Sequence, residues 1–317
     1  MKGLRLIPEE TNLNFIGLRW LAFALSAAMI LGSIFLVAKD GLNFGIDFTG
    51  GTAIEIRTPV APDLADMRSR LNALDLGAVS IQEFGQADDL LIRLPQQEGG
   101  ADVQKAAIDK VRGALDEMYA QDGVVDYRRT EFVGPQVGKE LKKQGLYAVL
   151  FSLIGILAYI WFRFEWQFGV AAVAALAHDV IITVGLFALT QLEFNLSTVA
   201  AILMIAGYSI NDTVVVFDRI REDLRRYKKK PLTELFNLSI NQMLSRTLMT
   251  SFTTVVALVA LYLFGGEVLR GFVYALIFGI VVGTYSSIYV ASPLLLFLNV
   301  RRGGASGEKS DAQAAQA

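Results

Sequence analysis

Six apolar runs, at residues 18–37, 145–162, 168–189, 196–217, 247–264 and 272–297, leave this chain few ways to fold. Each is long enough to cross a hydrocarbon layer about 30 Å thick as an α-helix, which closes its backbone hydrogen bonds within itself where no water can. With 53% of its 317 residues hydrophobic, the chain is suited to lipid as its solvent. The first run has Lys2 and Arg5 before it and Arg19 at its start, as a signal peptide would. It is long, however, and lacks a small-residue cleavage site before Asp40, so it counts as a span.

Basic residues set the orientation. Arg219, Arg221, Arg225, Arg226, Lys228, Lys229 and Lys230 crowd the connection between the fourth and fifth runs, which the positive-inside rule assigns to the cytoplasm. Arg163, Arg301, Arg302 and the basic N-terminus then fall on the same side, so both termini are expected inside. The loops 191–195 and 265–271 are short and poor in base, leaving 39–143 as the one large extracytoplasmic segment. The chain accordingly divides into a cytoplasmic N-terminus (1–17), a first span (18–37), an extracytoplasmic domain (38–143), five further spans (144–299) and a disordered cytoplasmic tail (300–317). A short amphipathic helix is expected over 231–241, lying on the cytoplasmic surface.

Inside the domain, 52–57 reads as a strand, 63–74 as an amphipathic helix, and 78–84 and 90–94 as strands around a turn at 85–89. A helix over 102–119 and a strand over 124–132 complete the order βαββαβ, the split βαβ pattern of a ferredoxin-like sandwich.

Several chemistries are disfavoured. A net charge of −2 provides no basic surface for nucleic acid. Without cysteine there is no disulfide, thiolate metal site or cysteine nucleophile, and one histidine falls short of a zinc ligand set. The motif NFGIDFTGG (43–51) lacks the Gly-Lys-Ser/Thr ending of a phosphate loop, and its three glycines suit a rigid elbow between the first span and the domain. No metal, no cofactor and no enzymatic activity are expected.

Ionisable groups inside spans are costly, which makes them the first candidates for function. Asp212, in GYSINDTVVVFDRIRE, lies about 24 Å along its helix from Leu196. Arg246, in INQMLSRTLMTS, lies about 27 Å along the next helix from Phe264, so the two are candidate partners at similar depth. In that pairing the arginine would lower the pKa of Asp212 while desolvation raises it, so that a small helix movement could switch the carboxylate between proton capture and release, as a relay needs. The plainer alternative is that both sit near the cytoplasmic interface, Arg246 snorkelling and Asp212 hydrated. Asp179, beside His178, lies deeper, roughly 16 Å from Thr190, and is either a relay member or a helix-helix hydrogen bond. His178 by itself reads as a packing residue. Asp218, Arg219, Arg221 and Glu222 read as a solvated face with local ion pairs. Gly279 and Gly283 suggest close helix packing.

Together, NFGIDFTGG after the first span, GYSINDTVVVFDRIRE in the fourth and INQMLSRTLMTS entering the fifth resemble the SecF family of the bacterial Sec protein-export machinery. The resemblance covers nearly the whole chain. It implies a membrane α-helical fold, a six-span half of a resistance-nodulation-division-like bundle with the inserted ferredoxin-like domain in the periplasm. A SecD chain would be similar in its membrane part but would carry a much larger periplasmic region, so the short insertion favours SecF.

The resemblance further implies an inner-membrane accessory subunit. With SecD it would associate with the SecYEG channel, and with YajC-like and YidC-like subunits, and use the proton gradient to assist late translocation of preproteins. Carried over by motif position, Asp212 and Arg246 look like the family's fourth-span carboxylate and fifth-span arginine, both tied to proton transport. Gly45, Asp47, Gly50 and Gly51 match the junction motif, whose role looks structural or coupling. Asn211 departs from the second acidic residue that many relatives carry, so a carboxylate pair is not implied there. The rivals are a passive scaffold for SecD and the channel, and a small-solute proton antiporter of the resistance-nodulation-division type.

Overall fold

A computed structural model of the chain describes residues 11–84, 86–298 and 300. A 3-10 turn, Ile16–Leu18, leads into α1 (Arg19–Asp40) and the single turn α2 (Ile46–Thr49). Then come β1 (Gly51–Arg57), α3 (Leu64–Asn72), β2 (Ser80–Phe84), β3 (Gln86–Leu94), α4 (Ala101–Met118) and β4 (Asp126–Val133). The rest is helical: α5 (Pro135–Arg163), α6 (Trp166–Thr190), α7 (Leu196–Arg226), α8 (Leu232–Phe264), α9 (Glu267–Ser286), a π-helical turn (Ser287–Ala291) and α10 (Ser292–Phe297). These elements form two compact units. A membrane unit draws on the described parts of Met1–Leu42, Val149–Leu192 and Ala200–Ala317, and a sheet unit comprises Asn43–Ala148 with Glu193–Val199. The tail at 301–317, with Arg301 and Arg302, and the first ten residues, with Lys2 and Arg5, lie outside the described residues.

Among the described residues, six helices are long and apolar enough to cross a membrane: Ile16–Asp40, Gln136–Arg163, Trp166–Thr190, Leu196–Arg226, Leu232–Phe264 and Leu269–Phe297. They correspond one to one with the six apolar runs. In the membrane unit the third, fourth and sixth are the most deeply buried, and the others turn most of their apolar surface outward. Phe168, Phe217 and Phe236 are fully buried in its core, the first two in edge-to-face contact with ring centroids 5.2 Å apart. A Cβ on Gly279 would meet the Ile205 side chain at 2.3 Å, and one on Gly283 the Ser209 side chain at 3.1 Å. These two glycines let α9 approach α7 closely.

The separate surface helix expected over 231–241 does not form. Residues Leu232–Phe264 make one continuous helix, because no glycine or proline interrupts 232–264 and Leu235, Phe236, Ile240 and Leu244 are buried in the membrane core. Polar contacts hold this extension in place. Asn241 donates to the Leu13 carbonyl and accepts from the Leu13 N–H, both at 2.9 Å, and Asn237 accepts from the Ile16 N–H at 3.0 Å. Ser239 donates to buried Asp223 of α7 at 2.7 Å.

The last span widens into a π turn just before Pro293. Proline lacks an N–H and its ring clashes with the carbonyl four residues back, so the helix loosens over Ser287–Ala291. Ser292 Oγ donates to the Ser287 carbonyl at 2.8 Å, meeting part of the bonding demand that the wide turn leaves.

In the sheet unit the strand order is β2-β3-β1-β4, with every neighbouring pair antiparallel. β1 and β2 run parallel with β3 between them, and the element order βαββαβ is the one the sequence predicts. Helices α3 and α4 contribute Met67, Leu71, Val111 and Leu115 to a core with Ile54, Ile56, Leu90 and Ile92 of the strands. Asp63 caps α3, accepting from the N–H groups of Ala65 and Asp66 at 2.9 and 3.2 Å. The expected turn at 85–89 is shorter than predicted: β3 begins at Gln86, and Gly85 lies outside the described residues. Polar Asp88 and Asp89 read as turn residues, yet Asp89 is buried in the strand because Arg57 holds it at 2.6 Å and Arg128 at 3.1 Å.

Candidate functional site

In the membrane unit α6, α7 and the α9–π–α10 helix bring polar side chains together in a buried interior. Asp179 of α6 is completely buried. Its Oδ2 accepts from Ser209 of α7 and from Ser286 of α9, the latter at 2.7 Å, and its Oδ1 faces His178 Nδ1 at 2.8 Å. The second ring nitrogen of His178 meets Ser26 of α1 at 3.1 Å, and Ser26 meets the Tyr285 hydroxyl at 3.0 Å. Tyr285 in turn donates to the Ala22 carbonyl at 2.9 Å and stacks on the His178 ring. A continuous run of hydrogen-bonding groups thus joins α6 to α1. His178, which reads from sequence as packing, is an integral part of it.

Asp212 lies on α7, three residues beyond Ser209, and is 6% exposed. Thr247 of α8 donates to its Oδ1 at 2.9 Å, while Oδ2 is buried and meets no hydrogen-bond partner among the described residues. The Ser287 hydroxyl lies 2.9 Å from Thr213, the neighbour of Asp212 on α7, and donates to the Gly283 carbonyl at 3.0 Å. Ser286 and Ser287 are neighbours at the entrance to the π turn, and between them they touch the Asp179 network and the α7 face beside Asp212. Farther along α8, Ser251 meets Thr284 at 2.7 Å and receives a longer bond from Tyr208.

Arg246 is exposed, and among the described residues no ion pair joins it to Asp212. The reason is angular. Successive residues of an α-helix point about 100° apart, so turning Thr247 onto the carboxylate turns Arg246 away. The structure therefore unites Asp212 with Thr247 and Asp179 with two serines and a histidine, leaving Arg246 beside the first group and outside it. The serines and threonines went unmarked in the sequence because single hydroxyls are common in spans. Their one signal is that Ser209 and Thr213 recur at four-residue spacing on the helix face that carries Asp212 three residues after Ser209.

The junction motif builds a second cluster, wholly within the sheet unit. Asn43 and Gly45 pair with Phe194, whose N–H donates to the Asn43 carbonyl at 2.8 Å and whose carbonyl accepts from Gly45 at 2.9 Å. This pairing brings 193–199 into the unit, although the sequence division at 38–143 leaves it out. Asp47 Oδ2 accepts from the Leu196 N–H at 2.8 Å and so caps the first turn of α7. Gly50 and Gly51 have φ of +72° and +112°, and a Cβ on Gly51 would lie 2.4 Å from the Leu94 carbonyl oxygen. A Cβ on Gly45 would meet Glu193 at 2.3 Å. Glu193 pairs with Arg93 of β3 at 2.9 Å, and Arg93 also bonds Asn43 and Gln82. Burial pushes the Glu193 carboxyl up, against the pull of Arg93. Sequence reasoning missed this pair, whose only trace was a lone acid in a five-residue loop. Among the described residues no group of three or more histidine or acidic side chains is placed to hold a metal ion.

Fold and site together define a class: a multi-pass membrane protein with a small α+β unit inserted after its first span and acids held in a hydroxyl network between its inner helices. Residues 114–301 match the family described as protein export membrane protein SecD/SecF, C-terminal, and residues 35–58 match the SecD/SecF GG motif. The chain belongs to the SecD/SecF family of protein export membrane proteins, in its SecF branch. It is 46% identical over 297 residues to the protein translocase subunit SecF of Rickettsia rickettsii, covering 93% of this chain and 95% of that one. With the subunit of the same name from Cereibacter sphaeroides it is 47% identical over 307 residues, covering 95% and 94%. Among solved structures it is similar to SecDF, a translocon-associated membrane protein from Thermus thermophilus, with a TM-score of 0.83 and 39% identity over 94% of this chain. A SecDF structure in a super-membrane-facing form gives 0.67 and 37% over 99%. The chain spans 40% and 41% of the length of those two SecDF chains.

Proposed function

We propose that the chain is an accessory subunit of the Sec translocase that works beside a SecD partner and uses the proton motive force to assist preprotein export. The names of its relatives support the export role. The SecF names of its relatives and its likeness to part of SecDF support a SecD partner. The charge pattern supports a bacterial inner-membrane location with both termini cytoplasmic and the sheet unit in the periplasm. SecYEG, YajC-like and YidC-like subunits and the preprotein are the further partners of this reading. The subunit moves rather than catalyses.

One observation carries the proton step: the Asp212 carboxylate is buried among membrane helices with one oxygen bonded by Thr247 and the other without a hydrogen-bond partner among the described residues. An ionised acid so placed is costly in a lipid-surrounded bundle, and protonation relieves that cost. Rotation of α8 by one residue would exchange Thr247 for Arg246 opposite the carboxylate and favour its ionised form. Alternation between these partners is how Asp212 and Arg246 would take up and release a proton, with Asp179 and its hydroxyl network as the neighbouring stage. The test is Asp212→Asn, expressed with its SecD partner and assayed for gradient-dependent completion of secretion. Loss of the gradient dependence is expected. Wild-type dependence would remove the proton role and leave a passive scaffold.

A further inference from the structure

At the far end of α7 a pocket of about 490 Å3 opens, lined by Arg163, Asp218, Arg221, Glu222, Arg225 and Arg226. Its two acids are already engaged. Arg163 bonds both oxygens of Asp218 at 2.9 Å, and Glu222 is held at 2.8 Å by Arg219. Arg226 packs its guanidinium over the Tyr227 ring, and Arg225 is exposed. Arg221 gives one N–H to the Arg163 carbonyl at 3.4 Å, while its Nε is buried with no hydrogen-bond partner among the described residues. The pocket is therefore left with positive charge and with a guanidinium whose Nε meets no acceptor among the described residues, a cost that an incoming oxyanion would remove. A phosphate oxygen pair matches the guanidinium fork.

The rim has a different character. Arg163 ends α5 and α6 begins at Trp166, and this corner presents Trp161 80%, Phe162 94% and Trp166 61% exposed. Exposed indoles at the end of a span belong at the headgroup level of a bilayer. A basic pocket at that depth, beside bare aromatic surface, suits a molecule with an anionic head and apolar chains. The volume suits a headgroup of that size.

We propose that this pocket binds the phosphate of an anionic phospholipid headgroup, with the acyl chains lying along Trp161 and Phe162. Arg221 and Arg225 are the phosphate-binding residues. The site is independent of the proton step, since it uses neither Asp212 nor Asp179.

The experiment is native mass spectrometry of the purified full chain exchanged into mixed phosphatidylglycerol and phosphatidylcholine micelles. The wild type should retain phosphatidylglycerol selectively, and R221Q/R225Q should lower that retention by about tenfold. K228Q/K229Q removes the same charge from the adjoining loop and should leave retention unchanged. Arg225→Gln alone, a change at an exposed position, should give an intermediate loss and guards against a folding defect in the double variant. Equal loss in the pocket and loop variants would overturn the proposal in favour of diffuse surface charge. Displacement of the lipid by added inorganic phosphate would overturn the lipid assignment in favour of a soluble anion. Persistence of the lipid in that competition supports it.

Discussion

Asp179 and Ser286, on α6 and α9, meet at 2.7 Å in the buried interior of the membrane unit. Asp179→Ala would leave Ser209, Ser286 and His178 without their common acceptor, at a cost of about 1–3 kcal/mol. Ser286→Ala removes one of several bonds and should cost only about 0.6 kcal/mol, the average for such contacts between membrane helices. Thermal unfolding of the full chain in detergent, followed through tryptophan fluorescence, gives both numbers, and equal effects would show that the network does not converge on the acid.

Thr247 and Arg246 should separate stability from coupling. Thr247→Val takes the hydrogen bond that Thr247 gives to Asp212 Oδ1 and is expected to destabilise the membrane unit by about 1 kcal/mol. Arg246→Ala, at an exposed position, should change stability by less than about 0.5 kcal/mol while abolishing gradient-dependent secretion. An Arg246→Ala chain with normal secretion would remove the arginine from the proposed cycle.

Asp89 sets an acid limit for the sheet unit. The guanidiniums of Arg57 and Arg128 hold its carboxyl below the usual range, with the Arg57 hydrogen bond the largest contribution. Since the folded value lies below the unfolded one, about 3.9, the stabilisation is present above pH 4 and fades as pH falls through the folded value. Asp89→Asn should cost about 2 kcal/mol at pH 7 and flatten this acid dependence. Hydrogen exchange of β1 and β3 amides in the full chain, measured across acid pH, reads it directly. Unchanged acid sensitivity in the variant would assign the effect to another group.

The junction predicts a graded series. Asp47→Ala removes the cap from α7 and should cost about 1 kcal/mol, seen as faster exchange at Leu196 to Val199. Gly51→Ala should be worse, since its Cβ would be driven onto the Leu94 carbonyl at a φ that alanine resists. If the alanine at 51 is the milder change, the elbow is not rigid.

Much of this architecture was legible in the residues. Six apolar runs gave six spans because hydropathy alone decides what enters lipid, and β1, α3, β2, β3, α4 and β4 followed from alternation and helical periodicity. Errors arose where a tertiary partner overrode local character. Asp88 and Asp89 look like a turn until Arg57 and Arg128 draw the second into the sheet. Residues 231–241 look like a surface helix until Leu13 and Ile16 fasten it as the first turns of α8. In the candidate site the acids stood out by their cost in lipid, but their true neighbours, Thr247, Ser209 and Ser286, are ordinary residues whose significance depends on which way a helix is turned. Distance along a helix speaks to depth and not to azimuth, and azimuth decides that Thr247 rather than Arg246 faces Asp212.

The wide turn at Ser287–Ala291 has a consequence for the phase of the last span. One surplus residue is accommodated there, so everything C-terminal to it, including buried Leu295, is rotated by about one helical step relative to an unbroken helix. Removing a single residue from that turn would let the helix close into regular winding and swing the final segment's inward face away from the core. The span's two halves are clocked separately, and the serines that serve Asp179 and Thr213 stand at the place where the clock is reset.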